Sequence, residues 1–530
     1  MKMREADKPV SGKVSTGSLV YNGQDFFHAH FIFEEGPMKL TYGISDKPRF
    51  GALLMLALQQ MLAILAATIA VPMIIGNGMT PAAAMFGAGV GTIIYLLFTK
   101  FKSPVFLGSS FAFLGSMSAA FAGGVSMQLG MLGLIVGAVL AGLVYVLLAL
   151  IVKFAGVRWI NKLMPPVVIG PTVAIIGLSL AGNAIGDLQK GDVMLSEDVM
   201  AASPFTALIC GLFTLVVVML CSTYGKKTAK LIPFIIGILA GYGLAALLTV
   251  IGNSAGINEL KIIDFNVFER YMMPDSAVTL KTFLSFPKLT FLDAFRCRDA
   301  FTKSYFLKLF AAYVPVAFVV FSEHIADHKN LSSIIGKDLL ESPGLTRTLL
   351  GDGVGSMFGA FFGGCPNTTY GESIACVAIT GNASTLTILA AAIGCIFFSF
   401  VTPLVAFVDS IPACVMGGVC VALYGFIAVS GLKMLQKVDL GQNRNLFVAS
   451  VILICGIGGL SLSFGSVTIT EIAAALILGI LTNVLLSKAK YEEPEKPVKA
   501  VKTVRQPAAD LPMQPVQPQR KPKNRKRRKK

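Results

Sequence analysis

Charge is what this sequence has least of. Only 14% of its 530 residues are Asp, Glu, Lys or Arg, while 54% are apolar. That balance excludes a soluble multidomain enzyme and leaves a polytopic membrane protein. Cysteine offers no framework: the nine Cys contain no C-x-x-C pair and fall mostly inside apolar segments, so neither a disulfide frame nor a zinc site is implied. Residues 1–50 are polar and hold no basic stretch followed by an apolar run, so no cleaved signal is expected. The net charge of +16 is local. From Lys488 onward fifteen Lys and Arg face four Asp and Glu, so eleven of the sixteen net charges lie in 488–530. This Pro-rich stretch, ending Arg525-Lys526-Arg527-Arg528-Lys529-Lys530, cannot bury a core. It is expected to be a disordered basic cytoplasmic tail that touches anionic lipid, in preference to nucleic acid. At the other end, Glu34-Glu35-Gly36-Pro37-Met38 raises the expectation that Met38 is the natural start and that residues 1–37 precede it.

What is present is a series of apolar segments near the roughly 20 residues that span a bilayer. They fall near 51–75, 82–99, 127–154, 164–186, 204–222, 232–251, 306–327, 346–364, 384–408, 411–435, 446–464 and 467–487. Two more, 104–120 with Pro104 and Gly108, and 366–381 with Pro366 and Gly371, are shorter and broken. The fold expected is therefore an all-α polytopic membrane protein of fourteen transmembrane segments. The broken segments are third and tenth, the third of each half, and such matched interruptions mark transporters built from inverted repeats. The division expected is 51–252 for the first seven-span repeat, 253–303 for an extracytoplasmic connection and 304–487 for the second. Lys100 and Lys102, Lys226 and Lys230, and Lys433 and Lys437 fall in loops of one side, while 121–126 and 465–466 carry no Lys or Arg. The positive-inside bias then places both termini in the cytoplasm.

Ionisable residues inside such segments are expensive and mark substrate or proton paths. Glu323 and Asp327 lie four apart on one helix face, and Glu372 follows the break at Pro366 and Gly371. Two acids one turn apart in low dielectric disfavour double ionisation, so Glu323 and Asp327 are candidates to carry a coupled proton. Broken helices at membrane depth line cavities, leaving N–H and C=O groups near Phe111, Tyr370, Gly371 and Glu372 free to bind. Two Glu plus free backbone amides suit a ligand with alternating N–H and C=O edges, such as a pyrimidine dione. Tyr370 and Phe111 are expected to stack on that flat ligand rather than serve as core aromatics.

His324 and His328 imitate a metal pair, but the H-E-x-x-H order is absent and no ligand cluster accompanies them. One of them is expected to cap the helix end or assist proton exchange. Gly351, Gly353, Gly355 and Gly359 read as close helix packing rather than a nucleotide loop. A membrane-embedded hydrolase using the two His lacks a nucleophile motif, and an inorganic-anion carrier would avoid two carboxylates in its site.

These residues resemble a known family. Glu323-His324, Lys337-Asp338-Leu339-Leu340, Pro343-Gly344-Leu345, Pro366-Asn367-Thr368-Thr369-Tyr370-Gly371-Glu372 and Gly108-Ser109-Ser110-Phe111-Ala112-Phe113 resemble the nucleobase/ascorbate transporter family and its bacterial uracil permeases, across about residues 38–488. The resemblance implies two inverted seven-span repeats, a core of spans 1–4 and 8–11, a gate of spans 5–7 and 12–14, and proton-coupled uracil uptake across the bacterial cytoplasmic membrane. It implies that Glu323 and Glu372 bond the uracil ring, with Tyr370, Gly371, Phe111 and Ser110 beside it, and Glu323, Asp327 and His324 handling the proton. The partners implied are uracil, a proton, membrane lipid and, as one form of assembly, a homodimer; no cofactor and no metal are. A purine such as xanthine is the competing substrate, but the purine branch commonly carries Gln or Asn chemistry near Glu372. The chain departs from the family pattern at Asp327, where some uracil permeases have His, at Ser373 and Ala375 after Glu372, and at Gln60 in the first span.

Overall fold

The computed structural model describes residues 40–488 apart from 157, 197–198, 227–228, 231, 274–277, 288–290 and 465–466. The expectations about residues 1–37 and the basic tail lie outside the described residues. Among the described residues, nine helices are long and apolar enough to cross a membrane: Phe50–Ile75, Pro81–Phe98, Met127–Ala155, Pro166–Asp187, Pro204–Tyr224, Pro233–Ala255, Lys303–Ile335, Ala413–Leu435 and Glu471–Lys488. Four shorter apolar helices, Phe111–Phe121, Gly371–Thr380, Thr385–Ser399 and Asn443–Ile457, accompany them. Their ends follow local chemistry. Thr80, Ser126, Ser203 and Thr302 each accept a hydrogen bond from the amide three residues on, closing helix N-termini. The 33-residue helix Lys303–Ile335 stops where Gly336 takes the left-handed φ of 66°.

Two differences from the expected segments have clear causes. The 384–408 segment divides into Thr385–Ser399 and Thr402–Asp409. Between them Val401 bridges Leu284, and Ser285 and Thr402 exchange backbone bonds with Phe400 and Phe283, so the 253–303 connection inserts an extended turn. The 446–464 and 467–487 segments each give part of their length to an antiparallel hairpin, Leu462–Phe464 with Val467–Ile469.

The helices pack as two neighbourhoods. Pro81–Phe98 lies against Leu345–Phe361 and Thr385–Ser399, and Met127–Ala155 against Leu345–Phe361 and Lys303–Ile335. Ala413–Leu435 packs on Pro166–Ser179 and Pro204–Tyr224, with Asn443–Ile457 and Glu471–Leu485 beside them. Lys303–Ile335 touches both sets, reaching Pro166–Ser179 and Glu471–Leu485. The Gly-rich run is helix packing, as expected: a Cβ on Gly355 would stand 2.8 Å from the Gly91 carbonyl oxygen, and one on Gly353 2.7 Å from Tyr145 Cβ.

The two broken segments meet at the centre of this frame. Leu107–Ser109 and Asn367–Thr369 form a buried two-stranded antiparallel sheet with Leu107 opposite Thr369, Gly108 opposite Thr368 and Ser109 opposite Asn367. Each strand runs into a short helix, Phe111–Phe121 after the first and Gly371–Thr380 after the second. The strand backbones are satisfied inside the protein, as apolar surroundings require. Leu107 N–H donates to Thr92 Oγ1 at 2.9 Å, Phe106 N–H to Ser373 Oγ at 3.1 Å, and Ser110 N–H to the Pro366 carbonyl at 2.9 Å.

Candidate functional site

The site grows from one helix and the strand pair it crosses. Glu323 and Asp327 are half-buried on one face of Lys303–Ile335, while His324 and His328, one residue further round, are fully buried on another. Glu372 stands in the first turn of Gly371–Thr380, where the helix dipole favours an anion. The helix that bears Glu323 and Asp327 packs against Asn367–Thr369 and against Gly371–Thr380, the helix that bears Glu372. The expected grouping of Glu323, Asp327 and Glu372 is therefore what the fold brings together. Among the described residues no Lys or Arg pairs with any of the three. Asp327 is instead tied to the second strand, its Oδ2 accepting a hydrogen bond from Thr369 Oγ1 at 2.7 Å. The helix continues beyond Asp327 to Ile335, so Asp327 is no helix-end cap.

The aromatic and small residues divide their roles. Phe111 opens the first short helix, and its ring meets Tyr424 of Ala413–Leu435 edge-on at 5.4 Å, so it sits where the two helix neighbourhoods face each other. Ser110 Oγ is buried with no hydrogen-bond partner. Gly371 is exposed, with open space where a Cβ would be, so the backbone at the start of the second short helix is reachable. Tyr370 differs from the stacking expectation. Its ring lies against Gly108, whose missing side chain makes the room, and its hydroxyl donates to the Ser109 carbonyl at 2.8 Å. Tyr370 fastens one broken segment to the other.

Residues 51–463 match the family model described as Permease family. The chain is 39% identical over 452 residues to the uracil permease of Bacillus caldolyticus, covering 84% of this chain and 95% of that one. It is 38% identical over 461 residues to the uracil permease of Bacillus subtilis (strain 168), covering 86% and 98%, and 34% identical over 457 residues to that of Escherichia coli (strain K12), covering 86% and 95%. This chain belongs to the permease family. It is an integral membrane protein and a permease rather than an enzyme. Its fold is shared with the transmembrane domain of the cyanobacterial bicarbonate transporter BicA, at TM-score 0.55 and 14% identity over 83% of this chain and 100% of that one. The anion transporter SLC26A9 is similar at TM-score 0.54 and 11% identity, covering 82% and 64%.

In this permease the two His have work that sequence reasoning missed. His324 Nδ1 lies 2.7 Å from Asp352 Oδ2 and its Nε2 3.0 Å from Thr348 Oγ1. His328 Nδ1 lies 2.8 Å from the His324 carbonyl, which only accepts, so Nδ1 carries the hydrogen and Nε2 accepts from the Tyr95 hydroxyl at 2.7 Å. Neither ring is at a helix end, which removes the capping role. Both rings are held by polar partners from two neighbouring helices, and among the described residues no three His, Cys, Asp or Glu group as a metal would need. Asp352 was visible in the sequence as an acid in an apolar Gly-rich segment; its pairing with His324 was not. Gln60 Nε2 donates to Ser373 Oγ at 2.6 Å, so two of the positions that depart from the family pattern bond each other.

Proposed function

We propose that this permease carries uracil into the cell together with a proton. The observation that carries the reading is the pair of carboxyl side chains, Glu323 and Glu372, beside an exposed N-terminal backbone turn at Gly371 and crossed strands. Uracil presents two ring N–H donors and two carbonyl acceptors. Glu323 and Glu372 accept from the N–H groups, backbone amides at the starts of the helices Phe111–Phe121 and Gly371–Thr380 donate to the carbonyls, and Phe111 covers the ring face. Tyr370 holds the crossing in register through Ser109. Uracil permease relatives at 34–39% identity support the same cargo.

Coupling is assigned to Glu323, Asp327 and His324. Among the described residues no Lys or Arg pairs with Glu323 or Asp327, so ionising all the carboxyl groups at once is costly, and a proton enters with the substrate and leaves with it. Alternating access follows if the two helix neighbourhoods act as the core and the gate of two inverted seven-span repeats. Phe111 and Tyr424 then lie at the moving seam. Both termini are placed in the cytoplasm, the protein in the bacterial cytoplasmic membrane, and a homodimer is one assembly open to it.

The test is uptake of labelled uracil by cells expressing the chain, with xanthine and thymine as competitors and a protonophore as a second arm. Saturable uracil uptake, weakly inhibited by xanthine and collapsing with the proton gradient, is expected. Uptake of xanthine in preference to uracil overturns the substrate. Accumulation that survives the protonophore overturns the coupling.

A further inference from the structure

The 253–303 connection exposes an apolar surface. Leu280, Phe283, Phe286, Leu292 and Phe295 are all exposed, Phe286 at 85%. Exposed aromatics in a loop facing water would be costly and prone to association. These rings are continuous with the lipid-facing helices. Phe286 meets Phe400 at 5.3 Å, Phe291 stacks on Phe361 at 4.6 Å, and Phe362 leads on to the exposed Phe358. Phe361 ends helix Leu345–Phe361, and Phe400 directly follows helix Thr385–Ser399. The backbone pins the segment to the same place, through the Leu284 to Val401 bridge and the Thr402 hydroxyl donating to the Lys281 carbonyl at 2.8 Å. Residues 278–303 carry five Lys and Arg against two Asp. The ion pairs Arg296 to Asp293 and Arg298 to Asp299 are exposed surface pairs, so they leave the stretch cationic.

We propose that residues 278–287 and 291–298 form an interfacial belt in the headgroup zone of the bilayer, with these side chains inserted about 5–10 Å toward the acyl boundary and Arg296 and Arg298 facing anionic lipid phosphates. The connection is thus a lipid-binding surface at one end of the helices that pack around Pro81–Phe98, not a loop in water. The occupant is lipid, because the patch is continuous with surfaces that lipid covers and because aromatic plus basic composition suits the interface. The belt rests on the chain being an integral membrane protein and is independent of which substrate it carries.

The protein has one Trp, Trp159, whose Nε1 makes no hydrogen bond, so Trp159→Phe removes no bonded group. In that background Phe286→Trp places a single reporter on the belt. The protein is reconstituted in phosphatidylglycerol vesicles whose chains carry bromine either near the headgroup or near the chain ends. Blue-shifted emission is expected, quenched roughly twofold more by the shallow bromines than by the deep ones, as an interfacial position requires. Emission typical of a water-exposed indole, unquenched by either label, overturns the proposal. So does blue-shifted emission that neither label quenches, since a second copy of the chain or another protein would then cover the patch. If Phe286→Trp does not fold, Phe283→Trp gives the same readings.

Discussion

The two broken segments share one backbone plan and differ in chemistry. Leu107–Phe121 and Asn367–Thr380 each run strand, turn, short helix, and their strands pair. The first contributes no charged side chain; what it offers is Ser110, Phe111 and the bare backbone of Gly108. The second brings Thr369, Tyr370 and Glu372, each used differently: Thr369 on Asp327, Tyr370 on the first strand, Glu372 in the first turn of the short helix, where the proposed site lies. Within the pair, Leu107 stands opposite Thr369, an apolar residue facing the one that holds an acid. Similar geometry thus yields a platform on one side and a polar, acid-bearing arm on the other. Backbone plan alone does not assign function, and the family's distant structural neighbours with other cargoes fit that lesson.

The largest expected effect tests that asymmetry at its acid. Glu372→Gln replaces a pure acceptor by a group that also donates, and a lost charged hydrogen bond in a dry site costs about 1.5–3 kcal/mol, roughly ten- to hundredfold in Kd. Calorimetry with uracil on the purified protein measures it. Ser110→Ala on the platform side should change the affinity far less, and equal losses would erase the contrast between the segments.

Next comes the link from the second strand to the site helix. Asp327→Asn keeps the hydrogen bond from Thr369 and mimics a permanently protonated group. Uracil binding should persist while accumulation against a gradient is lost, read as counterflow retained and concentrative uptake abolished in vesicles. Gradient-driven accumulation at the parental level would leave Glu323 alone as the coupling acid.

Two glycines sharpen the comparison through stability. A Cβ on Gly108 enters the Tyr370 ring, whereas one on Gly371 meets open space. Gly108→Ala should destabilise the fold by about 1–3 kcal/mol, as overpacking does, and lower the melting temperature. Gly371→Ala should melt like the parent but bind uracil less well. A Gly371→Ala protein that melts early and a Gly108→Ala protein that does not would invert the roles assigned to the two breaks.

The smallest effect reaches the platform from outside the membrane segments. Asp192 accepts a hydrogen bond from Ala413 N–H at 3.1 Å, at the start of the helix that presents Tyr424 to Phe111. Burial pushes its carboxyl up to about 7 despite that bond, which favours the charged form, with Asp409, Asp264 and Asp187 adding repulsion. The folded state therefore binds this proton more tightly than the unfolded chain does. The stability Asp192 contributes is present below pH 4 and is lost as pH rises toward 7. Thermal melting between pH 4 and 7 should show a shallower decline in Asp192→Asn than in the parent. An identical decline would mean that Asp192 is not the group responsible.

Much of this protein was legible locally. Hydropathy over windows of about 20 residues located the long helices, and Pro and Gly at 104, 108, 366 and 371 located the breaks, because span length and helix interruption are properties of contiguous residues. Glu323, Asp327 and Glu372 stood out because an acid in an apolar segment is costly wherever that segment packs. What the tertiary structure decided is what joins residues far apart in the chain. The pairing of Leu107 with Thr369, the Asp352 carboxyl on His324, the Tyr370 ring against Gly108 and the division of 384–408 at the Phe283–Ser285 turn leave no periodic trace in either partner's own segment. Each arises from side-chain shape and hydrogen-bond satisfaction between elements that meet only after the helices have packed.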